Sequence, residues 1–222
     1  MTDVRIPLFP LHVVLFPGAS LPLHVFEPRY RTMMADVLGP ENAPHPEPAF
    51  GIACIREGYE VGAHAETHEI GCFAAVESIR RNPDGTMNLL IRGTSRFRIS
   101  ARPPDDPYPR AEVEPLEEPL GPATGEAIHI ALAALDRYVG VVARLSNREA
   151  RTAALPDDPV DASYKAAALL AVPVQVLQEL LESPTASDRL ARAAAIARRE
   201  AGLLETIGPP AAQPRIDARS LN

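Results

Sequence analysis

The segment IPLFPLHVVLFPGASLPLHVFEPRYRTMMADVL, residues 6–38, decides the fold class, because strand, turn, strand and helix follow one another within it. Arg5 to Phe9 and Leu21 to Phe26 are short apolar or alternating runs bounded by proline and glycine, the pattern of strands. Phe16-Pro17-Gly18 between them reads as a turn, since proline fixes φ and glycine admits the left-handed region. Pro28 suits the first position of a helix running to Leu38. Tyr30, Met33, Met34, Val37 and Leu38 recur at helical spacing, and Gly39-Pro40 stops it.

Downstream, the proline-rich stretch from Gly39 to Pro48 reads as a surface loop. Strand-like runs then cover Ala49 to Ile55, Ile70 to Ile79, Met87 to Arg92, Phe97 to Ala101 and Arg110 to Leu116, with a hairpin turn at Asn82-Pro83-Asp84-Gly85. So many short strands around one embedded helix predict a curved sheet or small barrel. The period then changes. Ile128, Leu132, Leu135, Val139 and Val142 form the apolar seam of a long helix. Asp158-Pro159 reads as an N-cap and first position opening a short helix through Leu170, and Pro173 opens another with Val174, Leu177, Leu180 and Leu181 on one side. Thr185-Ala186-Ser187-Asp188 resembles a capping box ahead of a last helix carrying Leu190, Ala194, Ala197, Ala201 and Leu204. The expected organisation is α+β: a β-rich part over residues 1–119, a helical bundle over 120–208 and a disordered tail over 209–222.

Composition narrows the function. The chain has 222 residues, of which 46% are hydrophobic, enough for a sizeable core. A net charge of −7 repels nucleic acid overall. Cys54 and Cys72 sit in apolar strand-like runs and read as buried thiols rather than a disulfide. The N-terminus lacks the pattern of a secretory signal. The longest apolar run, Ala166 to Val174, is too short for a membrane span and contains Pro173. A soluble, cytoplasmic protein without membrane association is expected.

The motifs P-L-F-P-L at 7–11, F-P-G at 16–18 and F-E-P-R-Y at 26–30 together resemble the opening of the Lon N-terminal substrate-binding domain. The resemblance continues through FGIACI at 50–55, EIGCFAAVESI at 69–79, PDG at 83–85 and G-x-x-RFRI at 93–99, and through LQELLESPTASDRLARAAAIARREAGLLE at 177–205. It implies a PUA-like β-subdomain followed by a helical bundle. In full-length Lon this region recognises protein substrates and helps assembly, while ATP hydrolysis and proteolysis lie downstream. The sequence holds no G-x-x-x-x-G-K-[ST] phosphate loop, since the sole Lys165 follows Tyr164, and no serine in the family's G-P-S-A-G context. The resemblance thus implies a stand-alone, non-catalytic module without cofactors, binding unfolded or exposed protein segments. Self-association and a separate protease are further expected partners, and an adaptor docking on one specific partner is the main alternative.

Several residues invite sharper readings. Leu15, Phe16, Leu21, Met33 and Met34 are candidates for an apolar peptide-binding surface, methionine being able to repack at low cost. Glu27, Arg29 and Tyr30 sit where a strand hands over to a helix. They read as structural, with Glu27 capping the helix and pairing with Arg96, next to Phe97 in the RFRI element. His64 and His68, with Glu66 between them, are spaced for one face of a helix, yet the adjoining Gly62 and the strand starting at Ile70 favour a loop over a metal site. Arg80, Arg81, Arg92, Arg96, Arg98 and Arg102 form the one basic cluster suggestive of RNA, but few aromatics are available for stacking. Ser163 and Lys165, two apart on a helix, face apart and do not make a nucleophile pair. A hydrolase would require His12, His24 and an acid to converge.

Overall fold

Backbone pairing from the first strand onward closes into a ring. The computed structural model describes residues 4–39, 50–60, 65–104, 107–122, 124–146 and 154–207; the loop expected over 40–48, His64 and the tail expected over 209–222 lie outside them. β1 (Val4–Leu11) pairs antiparallel with β7 (Arg110–Pro115) on one side and parallel with β3 (Phe50–Glu57) on the other. β7 pairs with β6 (Met87–Ala101), β6 with β5 (Ile70–Arg81), and β5 with β3, so β1, β7, β6, β5 and β3 form a small closed barrel in a mixed, mainly antiparallel sheet. β2 (Ser20–Val25) adds to the outside of β6, and β4 (Glu66–Thr67) to β3. Among the described residues β2 pairs with no other strand, and its exposed Pro22 suits a sheet edge, where the missing N–H breaks no ladder.

Phe97 fills the barrel. It is fully buried with Ile6, Leu8, Phe73, Ile99 and Val113, and meets Phe73 edge to face at 4.9 Å. Space for its ring comes from Gly51 and Gly71, where a Cβ would lie 2.8 and 2.5 Å from Phe97 atoms. Helix α1 (Pro28–Leu38) covers the outer face of the barrel. Its Tyr30, Met33, Met34 and Leu38 pack with Phe9, Leu23, Phe50 and Ile91, and Tyr30 stacks on Phe9 at 4.0 Å.

The helical half comprises α2 (Thr124–Leu145), α3 (Pro159–Ala168), α4 (Val174–Leu181) and α5 (Ala186–Ile207). Asp158 caps α3, its Oδ1 accepting from the Val160 and Asp161 amides at 2.9 Å, with Pro159 at the first position as the sequence predicts. Thr185 Oγ1 accepts from the Asp188 amide at 3.0 Å and bonds the Asp188 carboxylate at 2.6 Å, a variant of the expected capping box. The helical core centres on Leu135, Tyr138, Tyr164, Leu180 and Leu190, and it also takes in Phe16 from the β half. Among the described residues no helix is long and apolar enough to cross a membrane.

Three expectations change. The strands drawn over 87–92 and 97–101 are one continuous β6, because β5 pairs with it on both sides of Gly93. β4 had no counterpart in the pattern. Glu27 occupies the N-cap of α1 without a side-chain capping bond, and its nearby cation is Arg29 at 3.2 Å, not Arg96.

Candidate functional site

The turn that follows β1 builds one wall of a cleft. Pro17 bridges Gly93, the Gly18 amide donates to the Gly93 carbonyl at 2.8 Å, and the Gly93 amide donates to the Ala19 carbonyl at 2.9 Å. Gly18 sits at φ 77°, open to glycine at low cost. Gly93 allows the approach itself, since a Cβ there would stand 2.3 Å from the Phe16 carbonyl oxygen. Opposite this turn, α3 presents Asp161, Lys165 and Ala168, while its Ala162, Ser163, Tyr164, Ala166 and Ala167 are buried. Ala154, Leu155 and Pro156 line a further side. The cleft measures about 510 Å³ and has Arg92 and Thr94 of β6 along it. Its apolar surface comes from Pro17, Leu155, Pro156 and Ala168. Asp161, Lys165 and Arg92, the last paired with Glu77 at 3.1 Å, supply charges of both signs.

Tyr164, also lining this cleft, connects it to a buried ionic network. Arg96 holds Glu118 through two bonds, from Nε at 2.8 Å and from Nη2 at 2.9 Å, and donates from Nη1 to the Leu181 and Ser183 carbonyls at 2.7 and 2.8 Å. Arg189, fully buried, donates to the Leu180 carbonyl at 3.1 Å, the Ser183 carbonyl at 3.2 Å and the Ser163 hydroxyl at 2.7 Å, and lies 3.9 Å over the Tyr164 ring. Two guanidiniums thus face one carboxylate. The carbonyls ending α4 carry the negative end of its dipole and supply the missing counter-charge. Burial pushes the Tyr164 phenol well above its ordinary range, aided by its hydrogen bond to Glu118, and burial lowers Arg189 from its usual value. The phenol is therefore a neutral donor, and the cluster works as a clamp between β6 and the helices.

The residues singled out in the sequence are placed as follows. Leu15 and Phe16 are 3% exposed and Met33 and Met34 0%, while Leu21 is partly buried. These side chains are core, as large apolar groups at strand and helix spacing normally are, and the expected peptide surface is not built from them. Only the turn following Phe16 reaches the cleft. Arg29 and Tyr30 do meet, the guanidinium lying 4.6 Å over the ring. Arg96 turns inward from the basic cluster, Arg92 is paired with Glu77, and Arg102 donates to the Thr67 carbonyl at 3.0 Å, so the strand arginines do not present one common basic face. His24 bonds Asn88 at 2.8 Å, whereas His12 engages Glu60 through its backbone amide. Ser163 is buried against Arg189 while Lys165 is exposed. Cys54 and Cys72 are free and buried. Among the described residues no three His, Cys, Asp or Glu side chains gather to hold a metal.

Leu155 and the clamp of Glu118, Tyr164 and Arg189 were not singled out, and Lys165 was read only as half of a nucleophile pair, not as a cleft residue. Arg189 had a signal: it begins the series Arg189, Ala193, Ala197, Ala201, four apart and all buried. A charge in an apolar helical series needs a buried partner.

The sequence matches the family model of the ATP-dependent protease La (LON) substrate-binding domain over residues 5–199. Lon protease 4 of Sorangium cellulosum is 31% identical over 202 residues, covering 90% of this chain and 24% of that protein. Lon protease 2 of Herpetosiphon aurantiacus is 27% identical over 217 residues, covering 92% and 25%. The chain therefore spans about a quarter of the length of these relatives, and 13% of Lon protease of Parabacteroides distasonis. Among solved structures, the Lon N-terminal domain protein from Xanthomonas campestris superposes with a TM-score of 0.58 at 26% identity, over 86% of this chain and 98% of that one. The N-terminal domain of Mycobacterium avium complex Lon protease shares the fold with a TM-score of 0.58 at 18% identity, over 87% and 98%. With barrel, helices and sequence agreeing over most of its length, the chain belongs to the ATP-dependent protease La (LON) substrate-binding domain family.

Proposed function

We propose that this chain is a non-catalytic recognition module that holds exposed, mainly apolar segments of other polypeptides in the cleft between the 16–19 turn and α3. The observation that carries the reading is the cleft itself: apolar side chains from both halves of the fold, with Asp161, Lys165 and Arg92 placed to meet a peptide's polar groups. Among the described residues its walls contain no histidine, cysteine or serine. Family membership supports substrate recognition as the role.

A cleft of this size takes only a few side chains, and much of the burial energy goes to ordering the bound segment. Affinities in the micromolar to millimolar range follow. Fluorescence anisotropy with labelled peptides from an unfolded client tests the reading. Leu155→Asp should weaken binding about tenfold or more while the circular dichroism spectrum is unchanged, because it places an unpaired charge against the apolar wall. Equal affinity in the variant would place peptide binding elsewhere, and no binding by the wild type would remove the reading.

A further inference from the structure

A second cavity, of about 420 Å³, opens at the barrel between β1, the start of α1, β4 and the segments flanking β7. Three guanidiniums line it, from Arg29, Arg102 and Arg110, and no carboxylate does among the described residues. Its remaining walls are largely apolar, with prolines at 10, 103, 104 and 109. Arg29 uses Nη2 for Glu27 at 3.2 Å and for the Glu60 carbonyl at 3.2 Å, while its Nε is shut off from solvent without an acceptor. Arg102 spends Nη2 on Thr67 and on the His68 carbonyl, at 3.0 to 3.4 Å. Arg110 lies 4.7 Å over the Tyr108 ring, and Asp36 accepts from the hydroxyl of that tyrosine at 2.8 Å. Among the described residues neither Arg102 nor Arg110 forms an ion pair.

We propose that this cavity is an oxyanion site, taking a carboxylate or phosphate group carried on a compact apolar body. Three arginines converge on one cavity, and among the described residues only Glu27 pairs directly with any of them, an excess of positive charge in a partly enclosed space. Planar guanidiniums with unused N–H groups match the two oxygens of a carboxylate or phosphate. The wall formed by Arg29 and Tyr30 is the first turn of α1, the positive end of that helix dipole. Proline and leucine walls exclude water from the rest of the ligand and favour an apolar body behind the charged group.

The site is separate from the peptide cleft, and its test is separable too. Isothermal titration of the full chain at low ionic strength, with inorganic phosphate, benzoate and a short peptide bearing a free or an amidated C-terminus, identifies the source of the anion. Binding of phosphate or benzoate at one site per chain supports a small free anion. Binding of the free-acid peptide, lost on amidation, supports a chain terminus. In either case Arg110→Gln should weaken binding about tenfold or more, since it removes a charged donor. Arg102→Gln serves as the second variant, with thermal unfolding measured alongside because Arg102 also ties down Thr67. Leu155→Asp, in the peptide cleft, should leave anion binding unchanged. The proposal is overturned if no probe binds up to about 10 mM, or if both arginine variants bind as the wild type does.

Discussion

At the scale of single residues, Glu118 bears the greatest electrostatic demand. It is the only carboxylate in direct contact with Arg96 and Arg189 among the described residues, at 2.8 and 3.7 Å, and both arginines are buried. Glu118→Gln keeps the shape but leaves two enclosed guanidiniums with neutral acceptors alone, backbone carbonyls and the Ser163 hydroxyl. A loss of about 3–5 kcal/mol is expected, measured by urea unfolding; a loss below about 1 kcal/mol would mean that the α4 carbonyls alone neutralise the pair. The two thiols make a different prediction. Burial raises Cys54 from 9.0 to about 11, with Glu182 adding to the effect, and burial raises Cys72 further. In this range the unfolded chain gives up thiol protons that the folded chain retains. Stability contributed by the neutral thiols is therefore full below pH 9 and declines as pH rises from 9 to about 11. The Cys54→Ala variant should show a shallower alkaline decline, and neither thiol of the native wild type should react with a thiol reagent at neutral pH. The sequence disclosed that these cysteines would be buried. It did not disclose the partner of Arg96, because an ion pair across 22 residues depends on how the barrel meets the helices.

At the scale of elements, local chemistry that resides in a few consecutive residues was readable. α1 begins at Pro28 and ends at Leu38 as its spacing and punctuation require, and Asp158-Pro159 opens α3. Features set by neighbours in space were not readable. Gly93 looks like a break between two strands, yet β6 passes through it, held by β5 on one side while the turn at Pro17 and Gly18 occupies the other. The missing side chain is needed for packing, not for a turn. Gly93→Ala would put a methyl group 2.3 Å from the Phe16 carbonyl oxygen and 3.0 Å from Cys72 Sγ, with backbone on one side that cannot rotate away. The turn must then shift. We expect a loss of about 2 kcal/mol or more in thermal or urea unfolding, together with weaker peptide binding, because Pro17, Gly18 and Ala19 form a wall of the cleft. Asp158→Ala, which removes only the N-cap of α3, should cost about 1 kcal/mol. A larger penalty for Asp158→Ala than for Gly93→Ala would reverse this ranking.

At the scale of the whole molecule, the period change near residue 120 suggests two parts, but their cores are not independent. Phe16, from the β half, packs in the helical core 6.4 Å from Tyr164, and Val14, Ala19 and Ile70 lie against the same cluster. Gln178 of α4 donates to the Ile70 carbonyl at 3.0 Å, and Arg96 reaches the Leu181 and Ser183 carbonyls. Separating the halves would expose Phe16 to water and deprive the Arg96 guanidinium of two acceptors. Burying Phe16 alone is worth about 2–3 kcal/mol, and an enclosed charge stripped of acceptors costs a similar amount or more. These terms are a large fraction of the stability of a single domain. A fragment comprising residues 1–119 should therefore retain strands but lose fixed side-chain packing, giving a poorly dispersed proton NMR spectrum, whereas the full chain should unfold in one transition seen alike by near-ultraviolet and far-ultraviolet circular dichroism. A well-dispersed fragment spectrum would show that the Phe97-centred barrel core suffices alone. In that event the cleft lies on a movable boundary, and peptide binding should tighten the contact between the halves. With a single transition the cleft is preformed, and binding costs only the ordering of the guest.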